Sequence, residues 1–98
     1  MLTSLLAQRV LGWTAAPDRF LLGGRRWIPR WRFQPATRLA DALRLLEQVG
    51  PEEYAMGAAE SGGYWAMVRV AGTTAEAHEA SQPRAISVAV ARAFGIEV

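Results

Sequence analysis

Most of the chemistry this chain can offer lies in one run, Arg25-Arg26-Trp27-Ile28-Pro29-Arg30-Trp31-Arg32-Phe33. A guanidinium presents a planar fork of donors that matches phosphate and carboxylate oxygens. An indole offers a flat face on which a base can stack, worth about 1 to 3 kcal/mol per base. Alternating the two suits an anionic ligand with an aromatic body. Trp65 and Arg69 bring the same chemistry on a later segment. The ligand-binding set read from the sequence is therefore Arg25, Arg26, Trp27, Arg30, Trp31, Arg32, Trp65 and Arg69.

Other chemistries find little material. There is no cysteine, so disulfides, thiol nucleophiles and thiolate metal sites are all excluded. The single histidine, His78, has no His or Cys partner, and it reads as an ordinary strand residue. Serine or threonine nucleophiles would need that histidine and a Gly-x-Ser-x-Gly elbow, which the chain lacks. Glu52 and Glu53 are adjacent, and neighbours on a strand point to opposite faces. Gly23 with Gly24, and Gly62 with Gly63, stand outside any strand-loop-helix phosphate context and read as turns. The chain is expected to be no enzyme, with no cofactor and no metal.

With 98 residues, 51% hydrophobic and 20% charged, the chain has the material of a single folded domain, taken as 1–98. A domain of this size has modest stability, and homo-oligomerisation would add burial. No run of 18 apolar residues and no signal-like start is present, so no membrane span is expected and a cytoplasmic location is the default. The net charge of +2 conceals an uneven distribution. From Arg19 to Arg38 six arginines occur without an acid, whereas from Glu47 onward seven glutamates face only Arg69, Arg84 and Arg92. GC-rich coding accounts for arginine in place of lysine. It does not account for the clustering, which gives one part of the molecule a positive field.

The elements that must position these residues follow from periodicity and punctuation. Leu2, Leu5, Leu6 and Val10 recur at helical spacing, predicting a first helix over about Ser4 to Leu11, ended by Gly12. Trp13 to Gly24 reads as loop or short hairpin. In the arginine and tryptophan run, Trp27, Pro29, Trp31 and Phe33 share one parity, while Arg26, Ile28, Arg30 and Arg32 share the other. Pro29 cannot donate to a ladder, which makes this an edge strand or extended arm. Leu39, Ala42, Leu43, Leu46 and Val49 mark a second helix, with Thr37 as N-cap and Gly50-Pro51 as its stop. Tyr54, Met56 and Ala58 alternate, a turn follows at Glu60 to Gly63, and Tyr64, Ala66, Val68 and Val70 alternate again: a hairpin. A turn at Gly72 leads to a third strand over Thr73 to Ala80. Ser81 caps a last helix, with Pro83 in its first turn and Ala85, Ile86, Ala89, Val90, Ala93 and Phe94 facing the core before Gly95. The expected class is α+β: a helix, an edge strand or arm, then α-β-β-β-α with a small antiparallel sheet packed by helices.

Five stretches in this order resemble the phage ABA sandwich domain family. They are Ala7-Gln8-Arg9-Val10-Leu11-Gly12-Trp13, Trp27-x-Pro29, Ala36 to Ala42, the Gly62-Gly63-Tyr64-Trp65 hairpin, and Ser81-Gln82-Pro83-Arg84-Ala85-Ile86 before an alanine-rich helix. The resemblance spans almost the whole chain. The sequence departs where that family opens its middle helix with Ser-Thr-Asp, since Ala36 and Arg38 stand at the first and third positions. Resemblance implies a small phage or prophage protein acting in the host cytoplasm, and no established activity.

Three functional readings remain open. The first is a non-enzymatic sponge that sequesters a small nucleotide-type signal of host anti-phage defence, using the arginine and tryptophan set. Against it stands the plainer account of those residues, in which Trp27 and Trp31 cover the core from an edge strand with the arginines solvated around them. The second is a protein-protein interaction or inhibitor module acting on a host protein. Third comes duplex RNA or DNA. The α-β-β-β-α order is similar to the double-stranded RNA-binding domain, but the lysine cluster which that family places at its last helix is reduced here to Arg84. A long polymer is accordingly disfavoured.

Overall fold

The computed structural model describes residues 2–98. In chain order the elements are α1 (Leu2–Leu5), which widens into a π-helical turn (Leu6–Val10), β1 (Thr14–Ala15), β2 (Arg19–Gly23), β3 (Arg26–Pro29), a 3₁₀ turn (Arg30–Arg32), α2 (Leu39–Val49), β4 (Glu53–Ala58), β5 (Tyr64–Val70), β6 (Thr73–Glu79) and α3 (Gln82–Ala93). The strands form two separate antiparallel sheets, β1-β2-β3 and β4-β5-β6. This is the expected α+β class, with a sheet more than the sequence suggested.

At the centre lies α3. Every residue from Ala85 to Ala91 is buried. One side of the helix packs on β4, β5 and β6, and it also meets α2, α1 and the π-helical turn. Its alanines explain how a helix can be walled on several sides: without long side chains its backbone approaches its neighbours closely. From the second sheet Ala66, Val68 and Ala77 face it, all buried and on one face by register. Ser81 caps α3 by accepting from the Arg84 N–H at 3.4 Å, and Pro83 lies in the first turn, as expected. Gly50 ends α2 in the left-handed conformation.

Three local expectations need correction. The first helix is an α turn followed by a π turn: the Leu11 N–H bonds Leu6 O at 3.1 Å, and the Trp13 N–H reaches Ala7 O at 2.8 Å. The wider turn buries Leu6 and Ala7 together, and a helical period alone does not encode that choice. Trp13 to Gly24, by contrast, keeps to the expected short hairpin, in which β1 pairs antiparallel with β2. The arginine and tryptophan run is strand only as far as Pro29. Beyond it the chain coils into the 3₁₀ turn, which breaks the parity and drops Phe33 into the core while Trp31 stays outside. Lastly, α2 is rotated from the stripe read in the sequence. Ala42, Leu45 and Leu46 are buried, whereas Leu39 and Leu43 are exposed. Four leucines on one helix do not specify which arc faces inward. Thr37 does not cap it either. The N-cap is Arg38, with no side-chain cap, and the buried Asp41 in the first turn instead accepts the Gln34 N–H at 2.9 Å.

Candidate functional site

Between the first sheet and α2 lies a cleft of about 370 Å³, near the lower end of the range for small-molecule sites. Its floor is apolar: Trp13, Leu22, Ile28, Phe33 and Leu45. Phe33 is held in an aromatic cluster, 5.0 Å from Trp13 and 5.8 Å from Phe20, both edge-on. Three polar side chains line the same space: Arg26 from β3, and Arg44 and Gln48 one turn apart on α2. No carboxylate lines it. Neither arginine takes part in an ion pair among the described residues.

Strand alternation puts Arg26 there. Across β2 and β3, Phe20 pairs with Ile28 and Leu21 with Trp27. Phe20 is buried, so its face looks inward, and Ile28 and Arg26 share that face. Trp27 and Leu21 take the outer one. The parity read from the sequence thus holds over Arg26 to Pro29 and places one arginine inside the cleft.

The eight residues proposed from sequence are not gathered in one place. Arg25 occupies the turn between β2 and β3 and is exposed. Trp27 and Trp31 are 51% and 57% exposed, so neither covers the core. Arg19 stacks over Trp27 at 4.5 Å and Arg32 over Trp31 at 5.4 Å. Arg30 turns inward: Nη1 donates to Ala16 O at 2.7 Å, Nη2 donates to Ser4 Oγ, and the guanidinium lies 4.7 Å over the Phe20 ring. It ties α1 to the first sheet. Trp65 and Arg69 belong to the second sheet, where Arg69 pairs with Glu53 and the Trp65 ring lies across Gly57. An added Cβ at Gly57 would come within 3.0 Å of the Trp65 indole nitrogen. Of the set, Arg26 alone lines the cleft.

Sequence reasoning missed Arg44, Gln48 and Trp13. Their signal was present but faint, in that Arg44 and Gln48 flank the buried Leu45 at helical spacing. The resolved electrostatic perturbations among the described residues lie elsewhere, in the Asp18 and Arg19 pair. Hydrogen bonds from Arg19 Nε and Nη2, at 3.1 and 2.9 Å, hold the Asp18 carboxyl below its ordinary value. No group of three His, Cys, Asp or Glu side chains is placed to hold a metal among the described residues. No helix there is long and apolar enough to cross a membrane.

Fold and cleft together define a small α+β domain that brings two arginines over an aromatic floor. The chain belongs to the phage ABA sandwich domain family, whose profile matches residues 4–90. Its fold is similar to that of a phage protein from Bacillus cereus ATCC 14579, known from a 2.0 Å crystal structure. The TM-score is 0.79 at 18% identity, covering 99% of this chain and 87% of the other. No curated protein matches the chain.

Proposed function

We propose that the chain is a non-enzymatic phage protein that sequesters a small phosphorylated, nucleotide-type ligand in the cleft, acting as a sponge for a signal of host anti-phage defence. The observation that carries this reading is the pair Arg26 and Arg44, without ion-pair partners, above the Trp13, Ile28 and Phe33 floor. A guanidinium fork binds phosphate through charge-assisted, bidentate hydrogen bonds. The apolar floor gives a base or sugar edge somewhere to leave water, and Gln48 adds a donor and an acceptor to orient it. The lining residues include no carboxylate, histidine or hydroxyl to act as general base or nucleophile, which suits retention over turnover.

The test is a thermal-shift and calorimetric panel of mononucleotides, cyclic nucleotides and ADP-ribose. At a hundredfold excess over Kd, binding adds about 2.7 kcal/mol, an upward shift of at least about 10 °C for a domain this small. Arg26→Ala and Arg44→Ala should each weaken binding at least tenfold while Arg25→Ala does not, and the ligand should be recovered chemically intact after denaturation. No shift across the panel, or equal effects from all three substitutions, sinks the reading.

A further inference from the structure

The two sheets present their outer faces to solvent, and those faces differ in charge. On the first, Leu21 and Trp27 are direct cross-strand partners, 42% and 51% exposed, and the exposed Trp31 follows. Arg19 and Arg32 stack on the two indoles and hold them outward, and Arg25 stands at the turn. Exposed tryptophan beside arginine is the composition of interface hot spots. Through residue 44 the chain carries eight arginines and two aspartates, and both acids are engaged internally, Asp18 with Arg19 and Asp41 with the Gln34 N–H. A positive field therefore surrounds the patch.

The second sheet leaves a net negative charge on its outer face. That face carries Trp65 and Met67 at the centre, with Gly57, Ala55 and Glu53 beside them on β4, Arg69 farther along β5 in an ion pair with Glu53, and His78, Glu76 and Thr74 on β6. Beyond residue 44 there are three arginines and seven glutamates. All three arginines are committed within the fold: Arg69 to Glu53, Arg84 to Glu79 and Arg92 to the Glu76 carbonyl. The Glu76 carboxylate has no ion-pair partner among the described residues.

We propose that these two faces dock on one another between copies of this chain, the basic indole face of one copy on the acidic Trp65 and Met67 face of the next. Charge complementarity selects this occupant: each face is an open three-stranded antiparallel surface with an apolar centre, and their surroundings have opposite sign. Because the two faces differ, the contact is heterologous and repeats from copy to copy, closing into a ring or extending as a filament. The inference stands apart from the cleft, since neither face includes Arg44 or Gln48.

The experiment is sedimentation velocity on the full chain over rising concentration, at low and high salt. Wild type should self-associate, less so in high salt. Trp27→Glu spoils the basic face, and Met67→Arg with Glu76→Arg spoils the acidic one. Each variant alone should be monomeric, and an equimolar mixture should form a one-to-one heterodimer and nothing larger, because each keeps one intact face. Circular dichroism verifies folding, and Arg25→Glu with Arg32→Glu is a second basic-face variant made only from exposed residues. The proposal is overturned by a wild type that stays monomeric, by a mixture that stays monomeric, or by assembly that the acidic-face variant leaves intact. It is equally overturned if the basic face retains a nucleic-acid duplex while the protein shows no self-association.

Discussion

Removing the Asp41 carboxylate should loosen the floor of the cleft, and the size of the effect follows from its contact. Asp41 is buried in the first turn of α2 and accepts the Gln34 N–H at 2.9 Å, so it staples the segment carrying Phe33 to the helix. A hydrogen bond to a charged acceptor contributes about 1.5 to 3 kcal/mol, and a carboxylate near a helix N-terminus adds about 0.3 to 1 kcal/mol. The intrinsic preference of alanine for helix offsets about 0.5 kcal/mol. Asp41→Ala should thus cost about 1.5 to 3.5 kcal/mol, lowering Tm by roughly 4 to 8 °C per kcal/mol. Asp41→Asn keeps an acceptor and loses only the charge, so it should cost about half as much. Urea unfolding followed by circular dichroism measures both, with an unchanged m-value as the condition for comparison. A loss below about 0.5 kcal/mol for alanine would refute the staple. So would an asparagine variant as unstable as the alanine one.

Three further outcomes follow from the structure. Ser87 sits wholly buried in α3 with no partner for its hydroxyl among the described residues, so Ser87→Ala should stabilise the fold by about 1 kcal/mol, and a calorimetric Tm below wild type would contradict this. An alanine at Gly63 would put its Cβ 2.7 Å from the Glu79 carbonyl oxygen at a φ of 76°. Gly63→Ala should therefore cost well over the roughly 1 to 2 kcal/mol of left-handed strain that Gly24→Ala, with open space around it, incurs alone, as paired melts would reveal. Asp18 has a folded-state pKa below its ordinary 3.8, held there chiefly by the Arg19 hydrogen bonds. Its contribution is present above that value and fades as pH falls through the lower folded one. The Tm gap between wild type and Asp18→Asn should accordingly close on strong acidification, and a gap that widens there would show the sign to be wrong.

What could be read in advance tracks what is local. Ser81, Pro83 and Gly95 delimited α3 because caps and turns are decided by a few adjacent residues. Alternation of Tyr64, Ala66, Val68 and Val70 placed β5, and the charge division was plain in the arginine and glutamate positions. Long-range packing was not legible. Which arc of α2 turns inward depends on what its neighbours, α3 among them, present to it, and that choice buries Leu45 while leaving Leu43 exposed. The cleft suffers the same way: Arg26 and Arg44 are 18 positions apart in the chain and line one space only because tertiary packing sets β3 and α2 on either side of it. Arg30 shows the converse. Its neighbours in sequence suggested a ligand contact, yet Ala16 and Ser4 claim its donors from far along the chain.

The burial of α3 on several sides also sets an order on folding. Both sheets precede this helix in the chain, and each rests its apolar side on the core that the helix completes. Once Thr73 to Glu79 has been synthesised, all three strands of the second sheet are present but the helix they lie on is not. The nascent chain must therefore hold Ala66, Val68 and Ala77 open to solvent until Ala93 has cleared the ribosome. Assembly of the core is then a late event, and the apolar strand face left open before it is the kind of surface that chaperones meet.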